Sequence, residues 1–205
     1  LIAPYTIAPF HDHYINFRLD LDVDGASNSV LQDHFEPTAA SAPRKSIWTL
    51  KTETLATETA IQSHAEAVRM SNPNTRNGLR QNPSYLISSH HQATSILSND
   101  DWSQKRAAFS AATMWVTQFN PKERWASGNY PNQSHQNLGL PDYIANQEPI
   151  TNSDLVLWYT MGFRHITRPE DFPVLPTLWH EVTLRPAFFF DMDPSMTFNP
   201  GTVEN

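Results

Sequence analysis

Two histidines near the start of the chain, His11 and His13, are separated by one residue. In the segment 10–23 the odd positions are mostly apolar and the even positions polar, which predicts a long strand with one apolar face. Side chains two residues apart in a strand lie about 7 Å apart on one face, so both imidazoles can reach one metal ion. Two histidines spaced in this way also occur as ordinary polar residues at a strand end. Because Ile15 and Phe17 share their face, we expect both rings to be half-buried and to need partners.

Acidic residues follow at the other end of the same predicted strand. Asp20, Asp22 and Asp24, followed by Gly25, resemble the opening of an EF-hand loop. The twelfth position of such a loop would be Leu31 instead of glutamate, and the flanking residues have a strand pattern, so an EF-hand is rejected. Asp20 and Asp22 remain as a carboxylate pair on the polar face. They suit a hard cation, and a solvated acidic strand end explains them equally well.

A second long alternating strand is predicted over 155–165, and its chemistry-bearing residues run in the reverse order. Asp154 precedes His165 by eleven residues, whereas His11 precedes Asp20 by nine. Suppose that the two strands pair antiparallel, with the numbers of each pair of facing residues summing to about 176. The histidines of the two strands then become neighbours, and so do the aspartates. One face then holds the imidazoles of His11, His13 and His165, and the opposite face holds the carboxylates of Asp20, Asp22 and Asp154 with the carbonyls of Leu21 and Leu155 available. The first set suits copper or zinc, and the second suits calcium or manganese.

The elements that must position these groups are mostly strands. Sixteen prolines, six glycines and 11% aromatic residues favour a mainly β domain with long ordered loops and one or two short helices. Further strands are predicted near 47–54, 60–70, 84–88, 114–119 and 183–190. A helix capped by Ser98 or Asp100 is predicted to run to about Ala111. The segments 27–46 and 120–150 are predicted to be loops, and one as long as 120–150 is expected to be held by ligands or by another chain.

Composition excludes several classes of function. The chain carries 14 Lys plus Arg against 21 Asp plus Glu, a net charge of −7, and no basic run exceeds two residues, which argues against nucleic-acid binding. The longest apolar run, 186–190, is far shorter than the roughly 20 residues of a transmembrane helix. The absence of cysteine excludes disulfides, iron–sulfur ligation and thiol catalysis within these residues.

His180 and Glu181 could begin the motif of a zinc-peptidase helix. The second histidine of that motif is missing, because Leu184 stands at its position.

Seven segments, in their order and spacing, resemble the last portion of the catalytic β-sandwich domain of the copper amine oxidases. They are APFHDHYINFRLDLD at 8–22, SNPN at 71–74, WVTQF at 115–119, Glu123-Arg124, YPN at 130–132, GFRHITRPEDFP at 162–173 and RPAFF at 185–189. The resemblance covers nearly the whole chain. It implies that 1–205 is the C-terminal part of the catalytic domain and forms a portion of a large antiparallel β-sandwich.

The same resemblance implies three sets of metal ligands. The copper ligands would be His11, His13 and His165. The structural calcium or manganese site would use Asp20, Leu21 through its carbonyl, Asp22, Asp154 and Leu155 through its carbonyl. A second, peripheral calcium site found in many members would map to Glu58, Tyr143 through its carbonyl, Asn146 and Glu148, and the match at Glu58 needs a gap.

Two features of the family are missing from these residues. The family makes its quinone cofactor, topaquinone (TPQ), from a tyrosine in an Asn-Tyr-Asp or Asn-Tyr-Glu motif, and its catalytic base is an aspartate still further upstream. Neither motif occurs here, since the only Asn-Tyr pair, Asn129-Tyr130, is followed by Pro131. We therefore expect the quinone tyrosine to lie upstream and no catalytic residue to lie in this chain. Leu175 stands where some members carry a methionine near the copper.

The resemblance implies a copper-containing, topaquinone-dependent primary-amine oxidase that turns an amine, O2 and water into an aldehyde, NH3 and H2O2. The expected partners are the upstream portion of the same enzyme, a second copy in a homodimer, a small primary amine and O2. These residues alone are expected to be inactive. The alternatives are a non-catalytic metal-binding β-sandwich module with a structural or interaction role, and a zinc hydrolase. The sequon Asn132-Gln133-Ser134 favours secretion, and family members also occur in peroxisomes and periplasm, so an extracellular or peroxisomal location is expected.

Overall fold

Two antiparallel sheets dominate the computed structural model, which describes residues 1–62, 67–89, 93–133 and 139–197. The four-stranded sheet has the order β1-β8-β7-β4 and the five-stranded sheet has the order β3-β2-β5-β6-β9. In chain order the strands within the described ranges are β1 His11–Asp20, β2 Ser29–Ala39, β3 Ser46–Thr54, β4 Thr59–Ile61, β5 Ala67–Ser71, β6 Ser84–Ser89, β7 Met114–Gln118, β8 Leu155–His165 and β9 Val182–Ala187. The helices are short: α1 is Trp102–Arg106 and α2 is Leu140–Tyr143.

The two sheets share one apolar core. Val68 and Ile87 of the five-stranded sheet lie in a single buried cluster with Met114, Leu157 and Tyr159 of the four-stranded sheet. Every one of these side chains is fully shielded from solvent. Burial of apolar surface from both sheets is what holds a β-sandwich together. The mainly β prediction is therefore confirmed.

Strand β8 differs from its sequence interpretation because it is buried on both faces. Residues 155–162 are all buried, so the expected alternation of buried and exposed side chains is wrong there. Leu157 faces the core between the sheets, whereas Val156 and Trp158 belong to a second cluster with Leu140. That second cluster forms where the segment containing α2 packs over the outer face of the sheet. A strand covered on both faces is apolar at successive positions.

The segment 27–46 was predicted to be a loop, and that prediction is wrong because it contains β2. Only Ser29–Asp33 of this strand pairs with β5, whereas the whole of 31–39 pairs with β3. Beyond Asp33, β2 pairs with β3 alone, and these two strands form a hairpin whose side chains are mostly exposed. The sequence there lacks the alternation of apolar and polar residues that indicates a strand. Pro37 lies in this part, where β2 has a single neighbour and a missing N–H is tolerated.

Other predicted boundaries shift for local reasons. The segment 60–70 contains β4 and β5, and residues 63–66 lie outside the described ranges. The helix expected to run to Ala111 ends at Arg106, because Ala107 leaves helical geometry at φ −114° and ψ 40°. Its N-cap is Asp101, whose carboxylate accepts from the Ser103 N–H at 2.8 Å. Strand β9 ends at Ala187 because Phe188 adopts a left-handed φ of 62°.

In the five-stranded sheet, a buried ion pair joins neighbouring strands. Arg69 of β5 donates to both carboxylate oxygens of Asp33 on β2, with Nη2 2.8 Å from Oδ1, and the Thr52 hydroxyl of β3 donates to the same oxygen. Only 12% of the Arg69 side chain and 10% of the Asp33 side chain are exposed. Burial raises the pKa of Asp33, but the hydrogen bonds from Arg69 and Thr52 outweigh it and hold the pKa below its ordinary value.

Asp33→Asn is expected to destabilise the protein by roughly 3 kcal/mol, because it leaves a buried guanidinium without its counter-charge. Since the folded-state pKa of Asp33 lies below the ordinary 3.8, the stabilisation is complete above pH 3.8 and is lost as the pH falls through the folded-state value. The melting temperatures of the unsubstituted complete enzyme and of its Asp33→Asn variant should therefore differ most at neutral pH and become similar in acid. A difference that is the same at both pH values would contradict this.

Among the described residues, no helix is long and apolar enough to cross a membrane.

Candidate metal centres

The predicted register between β1 and β8 is observed. His11 pairs with His165 and Asp20 with Val156, so paired residue numbers sum to 176 along the whole ladder. Because side chains alternate along a strand, His11 and Asp20 project from opposite faces of β1. Antiparallel pairing therefore brings three histidines together at one end of the two strands and three aspartates together at the other.

The histidine cluster consists of His11, His13 and His165. One ring nitrogen from each lies within 4.8 Å of the others, and Nδ1 of His165 is 3.2 Å from Nε2 of His11. The ring centroids are 4.8 to 5.0 Å apart and the ring planes are steeply inclined to one another. Three nitrogens converging in this way form a donor set for a transition metal.

Neighbouring groups orient the imidazoles. The His11 Nδ1–H donates to the Pro9 carbonyl at 3.0 Å, which leaves the Nε2 lone pair for the cluster. The ring of His13 stacks on Phe163 at 4.9 Å, and Phe163 stacks in turn on His180 at 4.7 Å. His180 therefore supports the site through a ring contact, a role that its position in the sequence did not reveal.

Electrostatics favour a neutral His165. Desolvation lowers the pKa of His165, and positive charge on His11 or His13 would lower it further. An unprotonated imidazole offers the lone pair that a metal requires.

The expected half-burial of the histidine face is wrong, because His11 and His13 are both exposed residues of β1. On the same face Ile15 is 46% exposed and Phe17 is 37% exposed, whereas Leu19 packs against the core. The five-stranded sheet covers this face near Leu19, and no described residue covers it fully near the histidines.

The aspartate cluster consists of Asp20, Asp22 and Asp154, all exposed, with carboxylate oxygens within 4.8 Å of one another. Desolvation raises the pKa of Asp154, and the negative charges of Asp20 and Asp22 raise it further. Arg18 partly offsets this repulsion, because its Nη1 lies 3.2 Å from Oδ2 of Asp20. Three converging carboxylates are an oxygen donor set suited to a hard cation.

Of the four residues mapped to a second calcium site, two are in direct contact. Glu58 and Glu148 are adjacent, since the Glu148 N–H donates to Oε2 of Glu58 at 3.3 Å and the Glu58 N–H donates to the Glu148 carbonyl. Tyr143 and Asn146 belong to the helical turns that precede Glu148. Burial raises the pKa of Glu58, whose Oε1 also accepts from a backbone N–H.

Glu123 is an acidic residue near this cluster that the sequence interpretation did not assign. Burial is the largest cause that raises the pKa of Glu123, and the negative charges of Glu58, Glu148 and Asp142 raise it further. Its position within the family-like pair Glu123-Arg124 was the available signal. Among the described residues, however, these carboxylates do not form a group as tight as the aspartate cluster.

An antiparallel sandwich in which two neighbouring strands bring three imidazoles together is a β-sandwich protein with a candidate metal site. The family described as copper amine oxidase, enzyme domain, matches residues 1–205. The chain belongs to the copper amine oxidase family.

Three similar proteins illustrate the relationship. The chain is 42% identical over 205 residues to primary amine oxidase 1 of Arabidopsis thaliana, covering 95% of this chain and 32% of that protein. It is 35% identical over 208 residues to the peroxisomal copper-containing amine oxidase alpha 2 of the same plant, covering 98% of this chain and 31% of that protein. The crystal structure of a copper-containing benzylamine oxidase from Hansenula polymorpha matches with a TM-score of 0.86 and 29% identity, covering 94% and 31%. The chain thus spans about a third of the length of these relatives.

Proposed function

We propose that this chain is the C-terminal part of the catalytic domain of a copper-dependent primary-amine oxidase. The reaction converts a primary amine, O2 and water into an aldehyde, NH3 and H2O2. The observation that carries the proposal is the convergence of His11, His13 and His165 in a chain that belongs to this family over residues 1–205.

The residues present fit a copper ion. His11, His13 and His165 supply three nitrogen donors, and the hydrogen bond to Pro9 leaves His11 Nε2 free to bind. Phe163 limits rotation of the His13 ring by stacking on it. Bound copper would supply Lewis-acid and one-electron chemistry towards oxygen. The contribution of this chain is to hold three oriented imidazoles on two paired strands.

The proposed quinone, topaquinone, derives from a tyrosine outside this chain. Tyr130 is the one tyrosine that follows an asparagine here, and the following Pro131 departs from the family motif. The upstream portion of the enzyme would therefore supply both the quinone and the catalytic base, and the partners would be that portion and a second copy in a homodimer.

We place a structural Ca²⁺ or Mn²⁺ ion at Asp20, Asp22 and Asp154, with the carbonyls of Leu21 and Leu155 completing the donor set. Repulsion among three close carboxylates supports this, because a divalent cation removes it. A second Ca²⁺ at Glu58, Glu148, Asn146 and the Tyr143 carbonyl is supported by the contact between the two glutamates.

Removing the cation is expected to lower the melting temperature of the complete enzyme, and adding Ca²⁺ should restore it, because binding to the folded state alone is stabilising. Asp154→Asn should lose most of this response, since it removes one of three charged ligands. Scanning calorimetry with a chelator and then with excess Ca²⁺ measures both effects, and Asp100→Asn, an exposed carboxylate elsewhere, is the control. An Asp154→Asn enzyme with the full Ca²⁺ response would refute the assignment.

The test of the proposed function uses the complete enzyme. Metal analysis should find copper, a carbonyl reagent should titrate a quinone, and addition of a primary amine should release peroxide. Copper without quinone or peroxide would instead support a non-catalytic β-sandwich module, and zinc in a tetrahedral site would support a hydrolase.

For the cellular compartment of the enzyme we propose the peroxisome or the extracellular space, which cell fractionation distinguishes.

A further inference from the structure

Directly behind the histidine cluster, an ion pair joins the same two strands. Asp12 lies between His11 and His13 in the chain, and Arg164 immediately precedes His165. Asp12 and Arg164 are register partners on β1 and β8, and their side chains project from the face opposite the imidazoles. Arg164 donates from Nε to Oδ1 and from Nη2 to Oδ2 of Asp12, each at 2.7 Å. This two-bond geometry fixes both the distance and the relative orientation of the two side chains.

We infer that the Asp12–Arg164 pair is a positioning device that holds β1 and β8 in the register that assembles the three-histidine centre. The inference rests on the proposed function, because it takes that centre to be the copper site. Two of the ligands lie on β1 and the third on β8, so the centre exists only while the two strands keep this register. A slip of one residue would turn the β1 histidines to the other face.

The position of β1 explains why such a device is needed. In the described four-stranded sheet β1 is an edge strand whose single neighbour is β8. Near the histidines its face towards the core is exposed, with Ile15 46% and Phe17 37% accessible, so core packing contributes little there. This end of β1 is held by the ladder, by the stacking of His13 on Phe163, by a hydrogen bond from the Thr167 hydroxyl to the Ala8 carbonyl, and by the side chains on the opposite face.

Further contacts anchor the pair on both sides. The Tyr14 hydroxyl donates to Oδ2 of Asp12 at 3.1 Å, and burial together with the Asp12 charge raises the pKa of Tyr14 to about 12, so the hydroxyl keeps its proton. Nη2 of Arg164 also donates to the Thr94 carbonyl at 3.2 Å. Arg164 therefore ties Asp12 of β1 to the segment that contains Thr94.

Gly162 allows these groups to come close. It is the register partner of Tyr14, and its carbonyl accepts from the Ala93 N–H at 2.9 Å. A Cβ at this position would lie 2.1 Å from the Ala93 carbonyl oxygen and 2.9 Å from Cε1 of Tyr14. Only a residue without a side chain leaves room for this approach of the Ala93 backbone to β8.

The test uses Asp12→Asn and Arg164→Lys in the complete enzyme, with copper affinity measured by competition against a chelator and ligand geometry by Cu(II) EPR. Both variants should bind copper about 10- to 100-fold more weakly, the range observed when groups supporting metal ligands are removed, and both should show altered hyperfine coupling. Lysine keeps the charge of Arg164 but cannot make the two-bond contact. Asp12→Glu keeps the carboxylate and should recover part of the affinity.

The matched control is Asp33→Asn, which breaks a two-bond Arg–Asp pair of the five-stranded sheet that is more deeply buried than Asp12–Arg164. It should lower thermal stability while leaving copper affinity and the EPR spectrum unchanged. If Asp12→Asn matches Asp33→Asn in both copper readouts, the positioning role is refuted. If Asp12→Asn does not fold, Arg164→Lys decides by the same comparison.

A His11→Ala variant separates this inference from the proposed function. Full copper in His11→Ala would refute the proposed copper site itself. Loss of copper in His11→Ala together with unchanged copper binding in both Asp12→Asn and Arg164→Lys would refute the positioning role alone.

Discussion

Replacing His11, His13 or His165 with alanine, one at a time, is expected to remove most of the copper from the complete enzyme. Each change deletes one of three converging nitrogen donors and leaves two imidazoles that cannot by themselves complete the same geometry. Metal analysis of the purified variants measures the loss. Full copper occupancy in all three variants would end the proposal that these residues form the copper site.

The same variants should remain colourless and inactive, because in this family copper also drives formation of the quinone. Absorption of the quinone and amine-dependent peroxide release are the two readouts. His34→Ala is the matched control, since His34 lies on β2 beside Glu36 and belongs to neither metal cluster. It should keep both copper and quinone. A coloured His165→Ala enzyme would show that quinone formation does not need this ligand.

The histidine cluster and the aspartate cluster could be predicted from the sequence because they depend on strand geometry alone. A period of two fixes which side chains share a face, and one antiparallel register then fixes their neighbours. His11 and His165 therefore become neighbours once β1 and β8 pair in this register, independently of how the other strands pack. Exposure of His13 could not be predicted in this way, because it depends on how far the opposite sheet extends over β1.

The elements that were missed depend on long-range packing. Strand β2 has few alternating apolar residues and contains Pro37, so local patterns indicated a loop, and its pairing with β3 and β5 was not visible in the sequence. Burial of β8 on both faces requires Leu140 and its neighbours to fold back over Trp158. The support of His13 by Phe163 and His180 likewise joins residues from separate elements.

Residues 1–205 expressed alone are expected to aggregate or to remain unfolded, and to produce no peroxide from amines. The structure exposes a large amount of apolar surface on these residues. Phe35 and Trp48 on the β2–β3 hairpin are 57% and 71% exposed, Trp179 is 90% exposed, and Ile15 and Phe17 leave one face of β1 open. Apolar patches and open sheet edges of this kind promote association with other chains.

The same residues produced together with the upstream portion should be soluble, because we expect that portion and a second copy of the enzyme to cover these surfaces. Size-exclusion chromatography and thermal unfolding of the two preparations, with peroxide release measured in each, make the comparison. The hairpin offers a direct control, since Trp48→Ser with Phe35→Ser should reduce aggregation of the isolated residues without creating activity. A soluble monomer of residues 1–205 that unfolds cooperatively would show that they form a self-sufficient domain. That outcome would favour the structural module, because a self-sufficient domain needs no upstream portion to cover its apolar surface.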